Sequence, residues 1–188
     1  MTFDETKLIS HDAGRSGRQD HAGADPARSG DPAAPGLGDF DFFVGSWDSR
    51  QRRLREPLAG CDEWDEFAAT TRCWSVFGGA ANVDELSVPD RGFSGLTVRL
   101  LDPATGDWSL YWANSRDGAL ALPPVSGRFT DGVGRFYSRE DYQGRQITVR
   151  YTWSDITPSS ARREQAFSAD DGQTWETNWV AEFTRRET

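Results

Sequence analysis

The residues with the most chemical potential are polar side chains that share a strand face with large apolar ones. Side chains alternate between the two faces of a strand, so residues two positions apart point the same way. By this pattern Glu140 is a lone carboxylate on the face of Phe136, Ile147 and Tyr151. Desolvation there would raise its pKa and suit it to act as a general acid or base near neutrality. Glu140 is therefore the candidate catalytic residue, with a solvated place at the mouth of a barrel as the competing interpretation.

Two arginines and two amide side chains also fall on predicted inner faces. An inward arginine can hold an anionic group of a ligand through charge-assisted hydrogen bonds, and a structural ion pair is the alternative use of the same residue. Tryptophans on the same faces would form an aromatic wall or simply fill the core. The predicted ligand-binding residues are Arg99, Trp112, Asn114, Trp153, Arg163, Gln165 and Trp179.

These side chains meet only if the chain forms strands that close on one another. From Asp39 onward, short apolar runs alternate with turn signals such as VPDRG, DPATGD and TDGVG. Regular short runs with this punctuation are typical of an all-β sandwich or barrel. The pattern predicts ten strands, at about 47–55, 62–76, 80–88, 93–102, 107–115, 124–130, 133–141, 145–155, 160–168 and 174–185.

Most of the connections are tight, so strands adjacent in sequence should pair as an antiparallel meander. A meander of this length closes most economically on itself, because closure removes exposed edges. The predicted fold is therefore an all-β, antiparallel up-and-down barrel of about ten strands over residues 39–188. Residues 11–38 are rich in Gly, Ala, Asp and Pro with almost no large apolar side chain. Such a segment cannot offset its ordering entropy, which predicts a flexible arm over residues 1–38.

The inner faces of two hairpins need a choice of register. A turn centred near Asp171 places Trp175 and Thr177 inside, with Glu176 and Asn178 outside. Around DPATG the choice is less clear, because both faces carry large apolar residues. The face with Thr97, Arg99, Leu101, Trp108, Leu110, Trp112 and Asn114 is predicted to point inward because it holds both tryptophans. The opposite face carries Leu96, Val98, Leu100 and Tyr111.

One motif looks functional and is predicted to be structural. Residues 168–175 fit the pattern S-x-D-x-G-x-T-W and resemble the Asp-box of sialidases. That motif recurs once per propeller blade, and a single copy is incompatible with a propeller. The expected role is a hairpin turn in which Asp170 accepts hydrogen bonds from turn amides, Gly172 takes a positive φ and Trp175 packs beneath.

Composition excludes several chemistries. Both histidines, His11 and His21, precede the predicted barrel, so the barrel has no Ser-His-Asp triad and no histidine site for haem or zinc. Cys61 and Cys73 are too few for a disulfide framework and are expected to be reduced. No P-loop or G-x-G-x-x-G motif occurs. Neither a metal nor a cofactor is predicted.

The formal net charge of −9 argues against nucleic-acid and acidic membrane partners. No apolar run approaches the length of a membrane helix, and the N-terminus lacks the apolar region of a signal peptide. Cytoplasmic residence is the resulting expectation. The sequence leaves oligomerisation open.

Two segments resemble a bacterial family of unknown function with a lipocalin-like, calycin-type barrel. They are FDFFVGSW at residues 40–47, and SARREQAFS at 160–168 with TWETNW at 174–179. The resemblance covers about residues 39–186 and implies the fold and a central cavity, but no reaction. A sister group of calycin barrels binds haem through a histidine, and the absence of histidine here keeps that function from being carried over.

Three functions remain open. The first is binding of a small hydrophobic or aromatic molecule in the interior. The second is a cofactor-free enzyme, a cyclase or isomerase acting on a hydrophobic biosynthetic intermediate, which rests on analogy of fold. The third is a filled barrel with a structural or partner-binding role. A cavity of several hundred Å³ favours the first two, and a packed interior favours the third.

Overall fold

Ten strands separated by short turns form a closed antiparallel barrel in a computed structural model, which describes residues 34–187. Three short 3-10 turns, Asp41–Phe43, Phe77–Gly79 and Pro89–Arg91, accompany the strands. The strands are β1 Gly45–Leu54, β2 Trp64–Val76, β3 Ala81–Val88, β4 Phe93–Leu101, β5 Trp108–Asn114, β6 Val125–Thr130, β7 Val133–Tyr142, β8 Arg145–Ser154, β9 Ser160–Ser168 and β10 Glu176–Arg185.

Each strand pairs with its neighbour in sequence, and β1 closes the barrel by pairing with β10 from Trp47↔Arg185 to Arg53↔Trp179. The predicted all-β up-and-down barrel is thereby confirmed. Most of the predicted arm, residues 1–33, lies outside the described residues. Residues 34–38 form turns against the barrel, where the carbonyl of Gly36 accepts a hydrogen bond from Trp108 Nε1 at 3.2 Å.

Aromatic side chains fill part of the interior. The 3-10 turn Asp41–Phe43 brings Phe40 and Phe43 into the barrel, where their rings lie 5.0 Å from Trp108 and 4.8 Å from Trp153, respectively. Burying a side chain of this size contributes about 2–3 kcal/mol. We call this cluster the aromatic plug; its members are Phe40, Phe43, Trp47, Trp108, Phe136, Trp153 and Phe183.

The Asp-box segment is a turn, as predicted. Asp170 accepts hydrogen bonds from Thr174 Oγ1 at 2.6 Å, from the Thr174 amide at 2.9 Å and from Ser168 Oγ at 2.7 Å. Those from Thr174 contribute most to lowering the pKa of Asp170 to about 2. Gly172 has a φ of 89°, and its carbonyl accepts a hydrogen bond from Trp175 Nε1 at 3.0 Å.

The predicted faces of β10 are wrong before Trp179. Glu176 pairs with Phe167 and Thr177 with Ala166, after which a bulge leaves Asn178 as an extra, buried residue. One extra residue reverses the alternation. Trp175 and Thr177 therefore point outward, and Glu176 and Asn178 do not share the outer face that was predicted for them.

Trp175 packs on the outside of the barrel. Its ring lies 6.2 Å from that of Tyr137 and 4.2 Å from the guanidinium of Arg150.

The choice of face in β4 and β5 is correct. Arg99, Trp108 and Leu110 are buried, whereas Leu96 and Leu100 on the opposite face are each 39% exposed. Both cysteines are free thiols, and burial raises the pKa of Cys73 to about 12.

None of the helical turns in residues 34–187 is long and apolar enough to cross a membrane. Over the same residues, no three His, Cys, Asp or Glu side chains converge on a point that could hold a metal ion.

Candidate functional site

A cavity of about 60 Å³ lies inside the barrel beside the aromatic plug, with which it shares Trp153. Seven of the eight predicted site residues line it, including Glu140; only Asn114 does not. Its full lining is Thr97, Arg99, Leu110, Tyr111, Trp112, Ala121, Pro123, Val125, Glu140, Val149, Tyr151, Trp153, Arg163, Gln165 and Trp179.

Asn114 is the exception because it sits at the end of β5. Its Oδ1 accepts a hydrogen bond from the Arg116 amide at 2.9 Å, which caps the following turn. The residue borders a groove on the outer wall instead of the cavity.

The mouth of the cavity lies beside a short strand pairing. β5 and β6 pair through only three residues each, from Trp108↔Gly127 to Leu110↔Val125. Beyond Leu110 the two strands part, and Tyr111, Ala121 and Pro123 line the opening. The sequence pattern predicted both strands but gave no signal that they would separate, so this mouth was not predicted.

Arg163 is the most unusual residue of the cavity. It is surrounded by protein, with its guanidinium 4.9 Å from the ring of Trp179 and 5.5 Å from that of Tyr151. No residue of 34–187 accepts a hydrogen bond from Arg163 or forms an ion pair with it, and its Nε is buried without a partner. Burial lowers the pKa of Arg163 below its usual value. The exposure that it retains faces the cavity, so its donors are available to an occupant.

Arg99 differs because its charge is already matched. Its Nη1 forms an ion pair with Asp84 Oδ2 at 2.5 Å. The same nitrogen donates a hydrogen bond to Asn82 Oδ1 at 2.7 Å. The guanidinium also lies 5.0 Å from the ring of Phe40 in the plug. Of the two predicted arginines, Arg99 is therefore a structural residue of the core, and Arg163 is the one left free to meet an anion.

A hydrogen-bonded network fixes the aromatic wall. Tyr151 donates to Gln165 Oε1 at 3.1 Å, and burial raises the pKa of Tyr151, which keeps the phenol neutral. Trp179 Nε1 donates to Gln51 Oε1 at 2.8 Å, and Gln51 Nε2 in turn donates to Ser49 Oγ at 2.8 Å.

Gln51 and Ser49 were not predicted as part of the site. They share the inner face of β1 with the buried Trp47, so strand alternation could have found them.

Glu140 lies at the edge of the cavity, as predicted. Its pKa is raised above the usual value, because the desolvation caused by burial outweighs the hydrogen bond that Oε1 accepts from Ser138 Oγ at 2.5 Å. A carboxyl group in this state keeps its proton to higher pH and can donate a hydrogen bond.

Comparison with known proteins shows the fold. Rv2717c from M. tuberculosis superposes with a TM-score of 0.50 at 16% identity, over 83% of this chain and 100% of that chain. The S-type phycobiliprotein lyase CPES from Guillardia theta superposes with a TM-score of 0.49 at 15% identity, over 79% of this chain and 91% of that chain. The likeness to Rv2717c shows the fold alone, a lipocalin-like barrel. No protein-family model matches the sequence, and no curated protein does.

Proposed function

We propose that the barrel binds a small aromatic or otherwise hydrophobic molecule that carries an anionic group, and that Arg163 holds that group. The observation that carries this proposal is the unpaired guanidinium of Arg163 at the cavity. A buried guanidinium without a hydrogen-bond or ion-pair partner is costly for a fold, and a ligand that supplies an anion would offset that cost.

The cavity is far smaller than the several hundred Å³ that would favour enclosure of a whole ligand, so this proposal rests on Arg163 and not on the size of the cavity. At about 60 Å³ it is much smaller than the roughly 150 Å³ that holds a benzene ring. A carboxylate head group fits this enclosed space beside Arg163. The apolar body of the ligand would then occupy the mouth, along Trp112 and Tyr111.

The cavity chemistry favours an anion over a neutral ligand of the same shape. The guanidinium offers charge-assisted hydrogen bonds to a carboxylate, which are about twice as strong as neutral ones. Burial keeps Tyr151 neutral, and the raised pKa of Glu140 reduces repulsion of an anion.

A fluorescence titration tests the proposal, because Trp112 and Trp179 line the site. Benzoate, salicylate and indole-3-acetate are the probes, and benzamide and indole-3-acetamide are their uncharged counterparts. We expect saturable changes with the acids and much weaker ones with the amides. Arg163→Met should abolish the difference between the two groups.

Arg162→Met is the matched control, because Arg162 is the preceding residue and its ion pairs with Glu164 and Glu182 lie outside the cavity. Equal binding of acids and amides to the wild-type protein would exclude the role of Arg163. Native mass spectrometry of protein from the natural host would show whether any molecule co-purifies. If none does and no probe binds, the filled, structural barrel would be favoured.

A second candidate function is a cofactor-free enzyme with Glu140 as its acid or base. The observation that favours it is the raised pKa of a carboxyl group at the cavity edge. A molecule recovered from the host would be incubated with wild-type protein and with Glu140→Gln, and its mass and retention time followed. Conversion by the wild type alone would support catalysis, whereas equal conversion by both would remove Glu140 from the mechanism.

A further inference from the structure

The outer wall of the barrel across β2–β5 carries an apolar surface that residues 34–187 leave exposed. Its most exposed side chains are Trp74, Val76, Phe77, Leu96, Leu100 and Leu120, with exposed fractions between 39% and 79%. Together with the partly exposed side chains between them they form what we call the β2–β5 patch. The additional members are Val83, Val98, Tyr111 and Ala113.

Strand register makes this patch continuous. Trp74 pairs with Val83, Val83 with Val98, and Val98 with Tyr111, so one apolar row crosses all four strands. A second row runs from Leu96 through Ala113 to Leu120. Directly opposed side chains of adjacent strands touch, which leaves no polar break within either row.

Such a surface is unusual for the outer wall of a barrel. Antiparallel strands with one solvated face normally carry polar residues on that face, but the outer face of β4 carries Leu96, Val98 and Leu100. Phe77 is 79% exposed. Its backbone also has a φ of 54°, a conformation that a residue with a bulky side chain rarely adopts. A contiguous apolar patch of this kind marks an interaction site.

The charges within the patch indicate what covers it. Arg72 and Glu85 lie opposite each other in the register, beside Leu96. Both are exposed, and neither forms an ion pair with any residue of 34–187; Arg72 only stacks over Trp74 at 5.2 Å. Each molecule thus brings one unpaired cation and one unpaired anion, the combination that a second copy can satisfy across a two-fold contact.

We propose that the β2–β5 patch is the interface of a homodimer. Four strands spaced by about 4.8 Å, with the patch spanning about five residues along each, present a face of roughly 15 by 17 Å. Buried on both copies, a face of this size falls below the roughly 1,200 Å² of standard specific interfaces, so the dimer is expected to be a weak one. Tyr111 is the one member of the patch that also lines the cavity, whereas Arg163 lies on the inner wall. A change at Leu96, which does not line the cavity, should therefore weaken the dimer and leave ligand binding intact.

Sedimentation equilibrium of the full chain tests the dimer. We expect the apparent mass to approach twice that of the 20.9 kDa chain at concentrations of about 100 micromolar. Leu96→Asp should raise the dissociation constant by about 30-fold or more, the effect of losing a central anchor. Thr148→Asp, on the outer wall at β8, is the control and should leave the dimer intact. Val98→Thr provides a milder change at the patch centre if Leu96→Asp does not fold.

A charge exchange tests the identity of the partner. Arg72→Glu and Glu85→Arg should each weaken self-association, and an equimolar mixture of the two variants should recover the dimer as a heterodimer. No recovery on mixing would overturn the proposal, as would a wild-type monomer. The wild-type protein could also be a monomer in which Phe3, Leu8 and Ile9 cover the patch. Hydrogen exchange of the β4 amides would then become faster when these three residues are changed to Ser, and the patch would be assigned to the N-terminal segment instead.

Discussion

At the scale of single residues, function and stability oppose each other at Arg163. The side chain is surrounded by protein and has no hydrogen-bond or ion-pair partner among residues 34–187, only the rings of Tyr151 and Trp179, so its charge destabilises the empty barrel. Replacing it with Met keeps the apolar stem that packs between Tyr151 and Trp179 and removes the unpaired charge. We expect Arg163→Met to raise the free energy of unfolding by about 1 kcal/mol in urea denaturation.

Arg162→Met is the comparison for stability as well. It removes ion pairs that are about one-third exposed or more, which are worth about 0–1 kcal/mol, so its stability should fall slightly or not at all. A larger loss of stability in Arg163→Met than in Arg162→Met would show that Arg163 has a structural role.

Glu140 makes stability depend on pH in a defined direction. Its pKa is higher in the folded state than in the unfolded chain, so folding favours the protonated form. As pH rises, Glu140 loses its proton in the unfolded chain before it does so in the folded protein. The free energy of unfolding therefore falls between the usual glutamate pKa and the raised pKa of folded Glu140. Glu140→Gln should be more stable than the wild type at neutral pH and equal to it below about pH 4. Urea denaturation over this pH range measures the difference, and a difference independent of pH would contradict it.

At the scale of elements, a glycine in β4 sets the position of a cavity tryptophan. A Cβ built on Gly95 would lie 1.8 Å from the Trp112 ring, so the ring packs directly over the strand. Gly95→Ala must displace Trp112 from the cavity wall, and overpacking of this kind costs about 1–3 kcal/mol. We expect weaker binding of benzoate together with a shift in tryptophan emission. Unchanged affinity would mean that Trp112 does not contact the ligand.

The turn around Asp170 makes stability depend on pH in the opposite direction to Glu140. The hydrogen bonds from Thr174 hold the pKa of Asp170 to about 2 and stabilise the β9–β10 connection. This contribution to stability is fully present above the usual aspartate pKa, and it is lost as pH falls through the lowered pKa of Asp170 in the folded protein. Asp170→Ala should lower the melting temperature at neutral pH, by less as pH approaches 2, and leave ligand binding unchanged. Loss of binding would place the turn within the site.

Strand alternation predicted most of the interior, and its failures have local causes. It placed Arg99, Arg163, Gln165 and Glu140 correctly, because β4 and β7–β9 keep a period of two. It failed at Trp175 because the bulge at Asn178 has no distinctive residue type. The mouth could not be predicted, since the separation of β5 from β6 depends on how ten strands close.

At the scale of the whole molecule, the interior is mostly packed. The aromatic plug and a second apolar cluster of Ala69, Leu86, Val88 and Phe93 provide the core, and the cavity is a small space lined by Arg163, Glu140 and their neighbours. The cavity is accordingly smaller than the several hundred Å³ that an open interior would give. This arrangement favours a small ligand with one charged end over a large apolar one.

The apolar outer wall also explains an ambiguity in the sequence. Both faces of β4 and β5 carry large apolar residues, and only the tryptophans decided which one points inward. A homodimer through the β2–β5 patch gives both faces a reason to be apolar, because one faces the core and the other the second copy.

The side-chain resonances of Arg163 and Trp179 report most directly on the proposed site. In a ¹⁵N correlation spectrum, the Nε–H signals of both residues should shift in a saturable way with benzoate and hardly at all with benzamide. The Trp179 signal of Arg163→Met should not respond to benzoate. Benzoate binding that leaves the Arg163 signal unmoved, or that is as strong in Arg163→Met as in the wild type, would contradict anion recognition by this arginine.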